Sequence, residues 1–288
     1  MTQTILVTGA TGTVGSIVVE SLADHGARIR VATRGTDTAE KHLGGDDARV
    51  VFDFTHPETW GEALTDVDRV FLVRPPVVDV ARIREFVDAA ARVGVEHVVY
   101  LSILGANRNP WLPHRRIERH IKATDLAYTF LRASFFMQNL SGVHRPEIVN
   151  HDEIVVPAGT GRTSFVDARD VAAAAAVALT EDGYENRAYD VTGPEALNYD
   201  EVARLFTDEL DRSIDYANPS ILTFVRRMTA RGHPLPFVVV MLGIYTTARL
   251  GFSARVSGDI ETLLERKPIG MRQFVADHAH VFENTVED

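Results

Sequence analysis

The sequence predicts an α/β fold: a doubly wound parallel sheet followed by a smaller, mainly helical C-terminal lobe. Three observations carry this expectation. Through the first half, short uninterrupted apolar runs alternate with helical patterns, as strands buried on both faces require. A glycine-rich turn joins the first apolar run to the first helix. After Arg132 the alternation gives way to mostly helical segments.

Ile5–Val7 reads as the first strand, with a helix behind it through about His25. Ile29–Thr33 is the second strand, Val50–Phe52 the third after a short helical piece containing Lys41 and His42, and Val70–Val73 the fourth. The helix expected over about Asp79–Val93 repeats Val80, Ile83, Phe86 and Val87 at helical spacing. A strand at His97–Leu101, a helix at Pro113–Thr124 and a strand at Tyr128–Arg132 complete the alternation. Right-handed crossovers place the loops that follow the strands on one edge, where ligands bind.

Downstream, Ile154–Val156 is a short strand, and Asp167 or Asp170 starts and caps an alanine-rich helix ending near Leu179. Ala188–Val191 reads as a strand. Helices are expected over Asn198–Leu210, Pro219–Ala230, about Pro236–Leu250 and about Ile269–His278. Residues 1–150 form the expected nucleotide-binding domain, to which elements of about 151–192 return. Residues 193–288 form the smaller lobe, the expected other wall of a cleft.

The chain has 288 residues, 45% of them hydrophobic and 24% charged, as in an ordinary globular protein with a sizeable core. A net charge of −10, with no basic run, argues against a nucleic-acid surface. With no cysteine, thiol catalysis, disulfides and thiolate metal sites are excluded. The eleven histidines show no ligand-like spacing beside an acid, so no metal is expected. The longest apolar run, Phe237–Tyr245, falls short of the about 20 residues that span a bilayer. The first strand begins almost at Met1, leaving no room for a signal peptide. A cytoplasmic monomer or homodimer acting on a small molecule, with no membrane or nucleic-acid partner, is the expectation.

The run Gly9-Ala10-Thr11-Gly12-Thr13-Val14-Gly15 carries the chemistry. Gly9 permits a sharp turn, Gly12 clears the backbone for a pyrophosphate, and Gly15 lets helix and strand pack closely. The helix then aims its N-terminal N–H groups, and the positive end of its dipole, at phosphate. This strand–loop–helix context is what a dinucleotide-binding Rossmann motif requires. Thr11, Thr13 and Val14 are therefore candidate cofactor contacts beside the glycines. An acid normally meets the ribose 2′-hydroxyl at the end of the second strand. Here stands Arg34, with no acid before Asp37, which suits a 2′-phosphate and hence NADP(H), NAD(H) being the alternative. Asp53 and Phe54 end the third strand and either bracket the adenine or, for Asp53, cap a turn. Val73, Arg74 and Pro75 end the fourth beside the expected nicotinamide half. Arg74 there meets either a phosphate or substrate anion, or a surface carboxylate.

The chain resembles the NmrA-like group of atypical short-chain dehydrogenases/reductases. The resemblance rests on Gly9–Gly15, Phe71-Leu72-Val73-Arg74-Pro75-Pro76, Tyr100-Leu101-Ser102, Trp111–Glu118, Tyr128–Asn139, Ser164–Ala172 and Val191–Ala196. It implies a nicotinamide cofactor. The group includes quinone, azo-dye and imine reductases as well as cofactor-sensing regulators without activity. Ordinary superfamily members carry a Tyr-x-x-x-Lys pair; counting back from Tyr128 puts Pro110 at the tyrosine position and His114 at the lysine position. Proline has no proton to give. His114, with an ordinary pKa near 6.5, becomes the candidate ribose ligand or proton relay. Glu118, one helical turn on, would orient its ring or pair with Arg115. Ser102 matches the superfamily serine that holds a substrate oxygen, or else it satisfies backbone at a strand end.

Phe135, beside the cofactor, and Phe136, Met137, Asn139 and Tyr245, around the substrate, complete the expected pocket. The alternative is that one or two of Phe135, Phe136 and Met137 are plain core and that Tyr245 is core or a subunit interface. Two functions follow. One is an NAD(P)H-dependent reductase of a small electron-poor acceptor, a quinone, imine or azo compound. The other is an inactive NADP(H) sensor acting through a protein partner.

Overall fold

The computed structural model describes residues 3–23, 25–35 and 48–283. Asp37 and the expected helical piece with Lys41 and His42 lie outside them. The chain divides into two compact units. The first comprises Met1–Ala133, Ala168–Val191 and Asp259–Arg266, and the second Ser134–Asp167, Thr192–Gly258 and Lys267–Asp288.

The first unit is a seven-stranded sheet of β1 (Thr4–Val7), β2 (Arg28–Thr33), β3 (Ala48–Val51), β4 (Arg69–Val73), β5 (His97–Ile103), β6 (Ala127–Ala133) and β7 (Arg187–Val191). Every pairing is parallel, in the order β7-β6-β5-β4-β1-β2-β3. The order reverses between β1 and β4, the switch point at which doubly wound sheets take ligands. Ile5, Leu6, Val7, Val70, Phe71 and Leu72 are wholly buried, which explains their lack of alternation.

The helices of this unit are α1 (Thr13–Ala23), α2 (Trp60–Leu64), α3 (Val80–Arg92), α4 (Pro113–Ile121), α5 (Ala168–Thr180) and α6 (Asp259–Leu264). Asp79 caps α3 by accepting the Ala81 N–H at 2.8 Å. On one face of the sheet, Phe52, Phe54 and Trp60 pack edge-on around Phe86, with ring centroids 5.1–5.6 Å from it. The alanine-rich α5 packs against α1. Its Asp170, wholly buried and inside the first turn, pairs with Arg266 at 2.7 Å.

In the second unit, Phe135–Phe136, Thr163–Val166 and Ala196–Leu197 form a small mixed sheet that the sequence did not announce. Helices at Tyr199–Leu210, Ile221–Ala230, Leu235–Arg249 and Met271–Asp277 surround a core containing Phe206, Phe224, Tyr245 and Phe274. Asn198 and Glu201 form a reciprocal capping box at the first of these helices. Among the described residues, no helix is long and apolar enough to cross a membrane.

Candidate functional site

The glycine loop leaves β1 beside the tip of β4, and Thr8 fixes that junction. Its buried hydroxyl donates to the Phe71 carbonyl and accepts the Val73 N–H, each at 2.9 Å. Gly9 turns with φ +65°, a conformation that favours glycine. A Cβ on Gly15 would lie 2.1 Å from the Gly9 carbonyl oxygen, so only glycine lets α1 start this close to β1.

Gly12 differs. A Cβ there would meet only the Gly9 carbonyl oxygen, at 3.2 Å, a tight contact that a shift of a few tenths of an ångström relieves, so packing demands glycine far less here than at Gly15. Thr11, Gly12 and Thr13 are exposed, while Val14 is buried. At the start of α1 the Gly12 carbonyl takes the Ser16 N–H at 3.0 Å. The preceding first-turn N–H groups have no acceptor within the helix. With no acid in that turn, the helix end offers donors and positive potential to an anion. The loop thus fits a pyrophosphate: an open cradle that a Cβ would fill, rimmed with N–H groups.

Arg34 is exposed at the end of β2. Asp53 makes a tight turn, accepting the Thr55 N–H and hydroxyl at 2.7 Å each. The Thr55 N–H is the main reason its pKa falls below the ordinary value, with Arg34 a small contributor. Phe54 is a correction. Its ring is 4% exposed and belongs to the aromatic core, leaving no face for an adenine. Val73, Arg74 and Pro75 are partly exposed at the β4 tip. Arg74 donates to the Pro76 carbonyl at 3.2 Å, while its Nε is buried with no partner.

His114 lies in the first turn of α4, half-buried, with Nδ1 2.8 Å from the Tyr100 hydroxyl. Burial, and secondarily the charge of Arg74, bring its pKa down to about 4. The imidazole is therefore neutral at pH 7, which corrects the expectation of an ordinary relay titrating near neutrality. Tyr100, wholly buried in β5, was missed because an aromatic inside an apolar strand reads as core. Burial raises its hydroxyl pKa far beyond the usual range.

Glu118 and Ser102 do not serve His114 through a hydrogen bond. The Glu118 carboxylate, wholly buried, is gripped by Arg132 through Nε and Nη2 at 2.9 and 2.8 Å. It also accepts the Ser102 hydroxyl at 2.7 Å, and Arg115 stands 3.9 Å away. Ser102 is 1% exposed, so its hydroxyl is committed to this network rather than offered to a substrate.

The remaining expected residues belong to the second unit. Phe135 and Phe136 are partly exposed, and the Phe135 ring lies 5.7 Å from Phe165 and 5.9 Å from Tyr245. Asn139 is partly exposed. Met137 and Tyr245 correct the pocket assignment in favour of the core alternative: at 1% and 2% exposure they are core side chains. The Tyr245 hydroxyl is bonded to the buried His144 Nε2. Asp167 accepts Gln138 Nε2 at 2.9 Å and so ties down the segment after Met137.

Among the described residues no cluster of His, Asp or Glu could hold a metal ion. An NAD(P)H azoreductase of Xenophilus azovorans is 33% identical over 285 residues, which is 96% of this chain and 99% of that protein. The crystal structure of Citrobacter sp. triphenylmethane reductase complexed with NADP(H) superposes with a TM-score of 0.85 at 23% identity, covering 96% of this chain and 99% of that one. The NADPH complex of an Escherichia coli quinone oxidoreductase superposes with a TM-score of 0.85 at 24% identity, covering 97% and 99%. These two share the fold. The NmrA-like family profile matches residues 1–262, and the chain belongs to the NmrA-like family.

Proposed function

We propose that this protein is an NAD(P)H-dependent reductase of the atypical short-chain type, using NADP(H) in preference to NAD(H). Its acceptor is a small electron-poor molecule such as an azo compound, a quinone or an imine. The open face of Gly12, at the head of a helix without first-turn acids, carries the cofactor assignment. Likeness to the azoreductase over the whole chain supports the reaction class.

The cofactor, when bound, supplies the hydride. The backbone of Gly9–Gly15 would hold the pyrophosphate, and Arg34 a 2′-phosphate. Arg74, charged and with a spare Nε, would hold a phosphate or the negative charge that develops on the acceptor. Neither Pro110 nor a neutral His114 gives up a proton readily at pH 7. This favours acceptors whose reduced forms are protonated by water over ordinary ketones.

The same lack of an acid favours a second reading, an inactive NADP(H) sensor. NADPH oxidation assayed against azo dyes, quinones, imines and aldehydes separates the two. Turnover of the first three, with aldehydes far slower, is expected of the reductase. NADPH binding with no oxidation by any acceptor would assign the sensor.

A further inference from the structure

The Tyr100–His114 contact has only one arrangement of protons that leaves no buried donor unpaired. The Tyr100 hydroxyl is buried, and its hydrogen-bond partner among the described residues is His114 Nδ1, at 2.8 Å. Were Nδ1 to carry the hydrogen and the phenol to accept it, the phenolic proton would be stranded in apolar surroundings. A stranded buried donor costs about 1–3 kcal/mol. The phenol therefore donates, and Nδ1 accepts with its lone pair.

A neutral imidazole has one N–H, so the proton sits on Nε2, the nitrogen turned away from Tyr100. Three features keep the ring from taking a second proton: burial, the Arg74 charge, and a place in the first turn of α4, where the helix dipole is positive. The opposing influence is Glu118, whose carboxylate is held by Arg132 and Ser102.

We propose that Tyr100 is a positioning residue that locks His114 as a neutral Nε2–H imidazole. His114 is thereby a fixed hydrogen-bond donor to a ribose hydroxyl oxygen of the nicotinamide cofactor, and neither a proton donor nor a cation. The position that the superfamily's lysine occupies is thereby held by an uncharged donor. The ribose assignment rests on the reductase reading above; the tautomer does not.

The test is nitrogen NMR of the full-length protein carrying ¹⁵N-labelled histidine, first without and then with NADPH, beside calorimetric titration of NADPH. In the unmodified protein His114 should show a protonated Nε2 and an unprotonated, hydrogen-bonded Nδ1, unchanged between pH 8 and pH 6. NADPH should shift the Nε2 signal. In Tyr100→Phe the Nδ1 signal should move to that of an unbonded acceptor. His114→Ala should weaken NADPH binding about three- to tenfold, the worth of one hydrogen bond. His114→Gln, which keeps an N–H at the same reach, should restore most of it.

A protonated Nδ1 in the unmodified protein overturns the proposal, and needs no variant to fold. An unshifted Nδ1 signal in Tyr100→Phe, or full NADPH affinity in His114→Ala, overturns it as well. Failure of the unmodified protein to bind NADPH would instead remove the reductase reading and the ribose role, while the spectrum would still decide the tautomer.

Discussion

Arg132 and Glu118 are locked in a two-pronged ion pair inside the first unit, Nε to Oε1 at 2.9 Å and Nη2 to Oε2 at 2.8 Å. They join β6 to α4, the helix that carries His114. Ser102 on β5 donates to the same carboxylate, so three neighbouring elements meet at one buried charge. Removing one partner strands the other, at a cost of about 3–5 kcal/mol. Arg132→Met should lower the stability measured by urea unfolding by that amount. The double variant Arg132→Met/Glu118→Leu should recover much of it. A single-variant loss below about 1 kcal/mol would show that the pair is not closed to water.

Gly15 and Gly12 should respond in opposite ways to the same added methyl group. Gly15→Ala places Cβ 2.1 Å from the Gly9 oxygen, a clash that only backbone movement relieves, so its thermal midpoint should fall and NADPH binding should fall with it. Gly12→Ala meets a single oxygen at 3.2 Å. That variant should melt close to the parent yet bind NADPH at least tenfold more weakly by calorimetry. Unchanged affinity in Gly12→Ala would move the cofactor elsewhere.

Arg34 should set the choice between the two dinucleotides. A charge-assisted contact to a 2′-phosphate is worth about 1.5–3 kcal/mol, or roughly one to two decades in affinity. Arg34→Ala should lose most of the NADPH preference while NADH affinity holds. Equal dissociation constants for NADPH and NADH in the unmodified protein would leave Arg34 an ordinary surface residue.

Acid should weaken the fold before its carboxylates titrate. His97 and His144, both nearly inaccessible, have pKa values brought down by burial to about 4 and about 3. Unfolded, each titrates near 6.5. Between these values the unfolded chain binds the extra protons, so stability rises with pH across the window and is lost as pH falls through it. Each histidine contributes a slope on the order of 1 kcal/mol per pH unit. The urea midpoint should drop from pH 7 to pH 5, and His144→Gln should flatten that drop. A midpoint independent of pH over this range would mean that these rings are protonated in place.

Much of this fold is legible because its strands are buried on both faces. Val98, Val99 and Tyr100 in β5 have no solvent side to force polar alternation, so the run stands out as composition alone. The glycine loop is legible because steric need at Gly15 and ligand access at Gly12 both select the residue without a side chain. The partners of Glu118 are not legible: Ser102 lies 16 residues before it and Arg132 14 after, and only the sheet register brings them together. At two residues, Phe135–Phe136 is too short to show the period of a strand. Nothing in the sequence separates a tyrosine that fills the core from one whose hydroxyl, like that of Tyr100, orients a histidine.

The interleaving of the two units also bears on how the protein is made. The first unit takes its last segment from Asp259–Arg266, after the chain has twice left it and returned. Within that segment Asp259 accepts the Asp190 N–H at 2.6 Å on the edge strand β7, and Arg266 neutralises the buried Asp170. A nascent chain released at residue 191 would carry all seven strands but leave that carboxylate without its arginine. The first unit therefore cannot complete its own packing until residues 259–266 have been synthesised, so its closure waits on a segment more than sixty residues beyond its last strand.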